Sequence, residues 1–118
     1  MEPARRMSWQ SHPMPAEREM LNYAPFFDDV EAEQLRLGLL PREMEDKWFV
    51  FFEEGWLYFH RSWTGHCIFS MRLDGSPAGV RTLEVWVNRN KDQYNSAGSE
   101  SDIKLLERLI SNQLLRRG

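Results

Sequence analysis

The sequence predicts an α+β domain: a four-stranded antiparallel β-meander flanked by an N-terminal and a C-terminal helix. Three observations lead there. Residues 47–63 hold eight of the fifteen aromatic residues in the 118-residue chain, and aromatic side chains favour a pleated, half-buried surface. Glu54-Gly55 and Thr64-Gly65 are turn signals that cut 47–73 into three strands. Residues 80–88 then alternate, with Leu83, Val85 and Val87 against Thr82, Glu84, Trp86 and Asn88, the period of a strand with one buried face.

The elements follow in chain order. Residues 1–15 read as a flexible arm, because Pro3, Pro13 and Pro15 each remove a backbone donor, and residues 16–118 read as the single domain. A short helix is expected near 16–22, stopped by Pro25. Asp28 or Asp29 can cap a helix whose first turn is acidic, where the dipole favours carboxylates, and Gly38 and Pro41 end it. The strands are expected at about 47–53, 56–63, 66–73 and 80–88, with a loop over 74–79 and a polar loop over 90–98. Ser99 or Ser101 would cap a last helix running to about Arg116, with Ile103, Leu106, Ile110 and Leu114 as its apolar stripe.

Two-residue turns in both hairpins would fix the faces. Phe49, Phe51, Trp56, Tyr58, His60, Cys67, Phe69, Met71 and Leu73 would share a face under the C-terminal helix. Asp46, Trp48, Val50, Phe52, Leu57, Phe59, Arg61, Trp63, His66, Ile68 and Arg72 would share the other. A one-residue change in the second turn would flip the third strand.

Composition narrows the function. The net charge is −3, split as five Arg against ten acids in residues 1–46 and ten Lys/Arg against eight acids in 47–118. That balance argues against a nucleic-acid partner, which calls for a basic surface. The single cysteine excludes an internal disulfide and a cysteine-based zinc site. The first twenty residues hold no apolar run and no window approaches a membrane span, so a cytoplasmic protein without membrane contact is expected.

Candidate chemistry centres on His60-Arg61-Ser62-Trp63-Thr64-Gly65-His66. Arg61 beside an aromatic ring can hold a phosphate while the ring stacks on a base or sugar. In the expected register Asp46, Trp48, Arg61 and Trp63 share one end of the sheet, with His66 at the turn, and these five form the candidate ligand site. The same residues suit a plain structural use, Arg61 pairing with Asp46 along Trp48. His60 reads as a core histidine and Cys67 as a buried, inert thiol. No metal site, phosphate loop or nucleophile elbow is expected, and no cofactor is implied.

Glu43-Met-Glu-Asp-Lys-Trp-Phe49 and Leu57-Tyr-Phe-His-Arg-Ser-Trp-Thr-Gly65 resemble a small family of stand-alone domains. Some of its members are labelled ADP-ribosyl-(dinitrogen reductase) hydrolases or are linked to macro-domain proteins. The resemblance covers roughly residues 43–73 and implies ADP-ribose or nucleotide chemistry nearby. Two functions compete. The leading one is a binding or interaction domain, its partner a protein or a small phosphate-bearing ligand. The other is a small hydrolase or transferase on an ADP-ribosyl or nucleotide-like substrate, with Asp46 or Glu45 as base, Arg61 as anion clamp and Trp63 as stacking wall.

Overall fold

The computed structural model describes residues 2–116. It is an α+β domain whose antiparallel sheet has six strands: β1 (Arg18–Met20), β2 (Phe26–Asp28), β3 (Trp48–Glu53), β4 (Trp56–Arg61), β5 (Cys67–Ser76) and β6 (Gly79–Asn88). The order is β1-β6-β5-β4-β3, and β2 pairs with the other end of β6. Helix α1 (Asp29–Leu37) follows β2, and α2 (Ser99–Arg108) runs on into a π-helical turn, Leu109–Leu114. The expected four-strand meander is therefore the centre of a larger sheet. The helix expected near 16–22 is instead strand β1. Beyond β5, strand β6 presents backbone donors and acceptors that need partners, and β1 and β2 supply them. Residues 74–79, expected as a loop, extend the β5–β6 ladder, where Asp74 pairs with Arg81 through a 3.1 Å ion pair.

Helix α1 forms where local signals place it. The Asp28 carboxylate accepts the Glu31 N–H at 2.8 Å while Glu31 accepts the Asp28 N–H at 3.0 Å, closing a capping box. Gly38 ends it at φ +69°. A Cβ there would sit 2.2 Å from the Val50 carbonyl oxygen, so glycine lets the chain turn against β3. Leu39 then exchanges two 2.9 Å hydrogen bonds with Val50, covering part of the β3 edge. Neither expected serine caps α2: its N-cap is Gly98, with no side-chain cap.

The first hairpin has the expected two-residue turn, with Glu54 and Gly55 both at positive φ and Glu53 opposite Trp56. The second does not. Strand β4 ends at Arg61, whose N–H donates to the His66 carbonyl at 3.0 Å. A bulge follows: His60 opposes Cys67, but Phe59 opposes Phe69, leaving Ile68 as the extra residue. Cys67 keeps the expected face beside His60, while Phe69 and Met71 move to the opposite one.

That single residue redistributes the core. The helices cover Val50, Leu57, Phe59, Phe69, Met71, Val85 and Val87, packed with Leu35, Leu106, Ile110 and Leu114. Phe49 and Phe51, expected under the C-terminal helix with Phe69, form a separate cluster with Ala4 and the half-buried Tyr58 on the other face. A second bulge at Arg72/Leu73 leaves Leu83 exposed and turns Thr82 inward. No helix of the described residues is long and apolar enough to cross a membrane.

The arm lies against that other face. Ala4 N–H donates to the Leu37 carbonyl, and His12 N–H to the Gly65 carbonyl, both at 2.8 Å. Between them the Arg6 guanidinium sits 5.0 Å from the Phe51 ring centroid and pairs with Glu53. The Trp9 indole N–H donates to the Ser62 carbonyl at 2.7 Å.

Candidate functional site

Four of the five expected site residues gather where β3 begins and β4 ends, and each is held differently. Trp48 and Arg61 are cross-strand partners. The guanidinium carbon lies 4.6 Å from the indole centroid, and Trp48 stacks at 6.2 Å on Phe69 beyond it. This pair belongs to the helix-covered side, and Trp48 is buried. The Asp46 carboxylate accepts the Arg42 N–H at 2.9 Å and the Glu43 N–H at 3.3 Å, holding the connecting turn. Among the described residues no ion pair joins it to Arg61. The Ser62 hydroxyl donates to the Asp46 carbonyl at 2.7 Å, tying turn to hairpin. Trp63 is 66% exposed and its indole N–H donates to the Met44 carbonyl at 2.9 Å. His66 lies on the arm side, its ring 5.8 Å from that of His12.

A cleft of about 770 Å³ opens beside this cluster at the β3 edge. Its walls come from the start of the arm, the segment after α1, the turn over 42–47, Trp48 and the π-helical turn. Arg42, Lys47 and Arg116 line it, together with Asn112 and Gln113 and the acids Glu2, Glu45 and Asp46. None of the three cations forms an ion pair among the described residues. Sequence reasoning missed this grouping because Arg116 lies far along the chain from Arg42 and Lys47, and no local pattern unites them.

His60 and Cys67 face each other across β4 and β5. Burial lowers the His60 imidazole to about 4, opposed by backbone hydrogen bonding from Phe49. Burial likewise pushes the Cys67 thiol up to about 12. At neutral pH this is a neutral imidazole beside a protonated thiol, the reverse of an activated pair. Among the described residues no three His, Cys, Asp or Glu side chains are grouped to hold a metal ion.

A second polar cluster was not foreseen. Asp102 is fully buried. Its carboxylate accepts Arg89 Nη1 at 2.7 Å, the Tyr94 hydroxyl at 2.6 Å and the Ser96 hydroxyl at 2.8 Å. Arg89 also reaches Glu19 at 2.7 Å, so β1, β6, the 90–98 loop and α2 meet at one carboxylate. Burial and then the Asp102 hydrogen bond raise the Tyr94 phenol above its ordinary value. The available signal was periodicity: Asp102 falls on the stripe of Leu106, Leu109 and Ile110, where a polar residue needs a partner.

No family model, no curated protein and no solved structure matches this chain.

Proposed function

We propose that this is a small binding domain for a phosphate-bearing, nucleotide-like ligand, seated in the cleft beside Trp48. The observation that carries the reading is the trio Arg42, Lys47 and Arg116, three cations around one concavity without ion-pair partners among the described residues. Cations converging on a concave surface concentrate anions, and an arginine fork matches two phosphate oxygens. Asn112 and Gln113 add amide donors, and Trp48 borders the cleft. Arg61 does not line the cleft; stacked on the Trp48 indole, it holds that side chain in place rather than gripping the ligand.

Thermal denaturation with ADP-ribose, AMP and inorganic pyrophosphate tests this. A ligand at one hundred times its dissociation constant adds about 2.7 kcal/mol of stability. The Arg42→Ala/Lys47→Ala variant should keep the unliganded melting temperature and lose the response. Silence across the panel eliminates the ligand reading and leaves a protein-interaction domain. Glu45 lines the same cleft and makes no hydrogen bond or ion pair among the described residues, which supports hydrolysis of such a ligand as a second reading. Turnover of ADP-ribosyl substrates that Glu45→Gln abolishes would establish it; binding without turnover removes it.

A further inference from the structure

The cleft beside Trp48 holds charges of both signs that do not neutralise one another. Arg42, Lys47 and Arg116 line it, and so do Glu2 and Glu45. Among the described residues no ion pair joins any of these cations to either acid, and none of the five pairs elsewhere. Asp46, the third acid of the lining, is spent on the backbone: its carboxylate accepts the Arg42 and Glu43 N–H groups.

The two signs come from different walls. The arm contributes Glu2, Pro3, Ala4 and Ser8, an acid and no cation. The last helical segment contributes Leu109, Asn112, Gln113 and, just after it, Arg116: a cation and two amides, with no acid. The 42–47 turn carries both signs, in Arg42, Glu45 and Lys47. Backbone pins the acidic wall, because the Ala4 N–H donates to the Leu37 carbonyl at 2.8 Å. A ligand charged only by phosphate meets attraction from the cations and repulsion from Glu2 and Glu45. A ligand with a phosphate at one end and an ammonium at the other meets attraction from both.

We propose that the ligand of this cleft is a phosphate ester that also carries an aliphatic amine. Arg42, Lys47 and Arg116 hold its phosphate, and Glu2 and Glu45 hold its ammonium. The proposal rests on the phosphate reading above and narrows it. The two acids select by repulsion as well as attraction, since they disfavour a ligand that brings no cation. In this role Glu45 is a counter-ion rather than a base. The cleft, at about 770 Å³, is of the size that encloses both ends of a small molecule.

Phosphoethanolamine and propyl phosphate test this, because they match in length and differ by an ammonium in place of a methyl group. Both would be titrated into the ¹⁵N-labelled chain at about pH 7.5, where the amine is charged, and followed through the amides of Glu45, Lys47 and Asn112. Phosphoethanolamine should bind at least about tenfold more tightly than propyl phosphate. Glu2→Gln/Glu45→Gln should bring that ratio to about one, and Arg42→Ala/Lys47→Ala should weaken both ligands. Equal affinities in the wild-type chain overturn the proposal and leave the phosphate reading standing. So does a response to AMP or ADP-ribose with silence toward phosphoethanolamine. A preference for phosphoethanolamine that survives in the Gln double variant also overturns it, since the amine is then not read by these acids. Silence toward every phosphate ends both readings.

Discussion

Arg61 stacks on Trp48 and leaves Asp46 to the backbone: the guanidinium carbon is 4.6 Å from the indole centroid, while the carboxylate accepts the Arg42 and Glu43 amides. The contact is a cation–π one across a cross-strand pair, on an indole that is 8% exposed. Such contacts contribute from about 0.5 kcal/mol where exposed to about 2 kcal/mol where desolvated. Arg61→Ala is expected to lose about 1–2 kcal/mol in urea denaturation. Arg61→Lys keeps the charge but not the planar stack, and should lose about half as much. Asp46→Asn should leave the Arg61 contribution intact in a double-mutant cycle. Coupling above about 0.5 kcal/mol between the two positions would show a pairing across the turn that this geometry does not contain.

Gly38 is the position where a single methyl group should do most damage. Its φ is +69° and an added Cβ would lie 2.2 Å from the Val50 carbonyl oxygen. Gly38→Ala must break the Leu39–Val50 bridge or move α1 off β3. The expected loss exceeds about 2 kcal/mol, combining left-handed strain with lost hydrogen bonds. The obstacle is backbone rather than a flexible side chain, so a loss below about 1 kcal/mol would mean the segment repacks freely.

These two sites show what local sequence can and cannot convey. Helix α1 was legible because its determinants, Asp28, Glu31 and Gly38, act within a turn or two of chain. The strands were legible from Glu54-Gly55 and from the alternation around Val85 and Val87. The face of β5 was not. It depends on whether the β4–β5 connection closes at Trp63 or at Arg61, and on one extra residue, Ile68, that no local pattern marks. Hence Phe51 and Phe69, expected to pack together, lie on opposite faces. The candidate site suffered the same way. Trp48 beside Arg61 followed from the first hairpin register, whereas the Arg42–Lys47–Arg116 grouping is long-range and became visible only in the fold.

Asp102 is the most consequential polar residue of the interior. A fully buried carboxylate that accepts from Arg89, Tyr94 and Ser96 is balanced only while its donors remain. Asp102→Ala leaves Arg89 with Glu19 and the Ser99 hydroxyl and strands the Tyr94 hydroxyl, and is expected to lose about 3–5 kcal/mol. Tyr94→Phe removes one donor to a charged acceptor and should lose about 1.5–3 kcal/mol. Both can be read from chemical denaturation. A near-neutral Asp102→Ala would show that the 90–98 loop closes over α2 without the carboxylate.

His60 gives the fold a dependence on pH with a definite sign. Its imidazole is lowered to about 4 by burial, whereas in the unfolded chain a histidine titrates near about 6.5. The folded state excludes a proton that the unfolded state accepts, so acid favours unfolding. Above about pH 6.5 neither state is protonated and the residue adds no pH dependence. Stability then falls with pH and levels off below about pH 4, for a total near 3 kcal/mol. Urea denaturation at about pH 5 should therefore give a free energy lower by about 2 kcal/mol than at about pH 7.5. His60→Leu, matching an apolar setting between Phe49 and Phe51 and removing an unpartnered Nδ1, should erase most of that difference. Should the wild-type loss stay under about 0.5 kcal/mol, the imidazole must reach water or an unseen partner in the folded state. Should the His60→Leu variant keep the full loss, the proton belongs to another group.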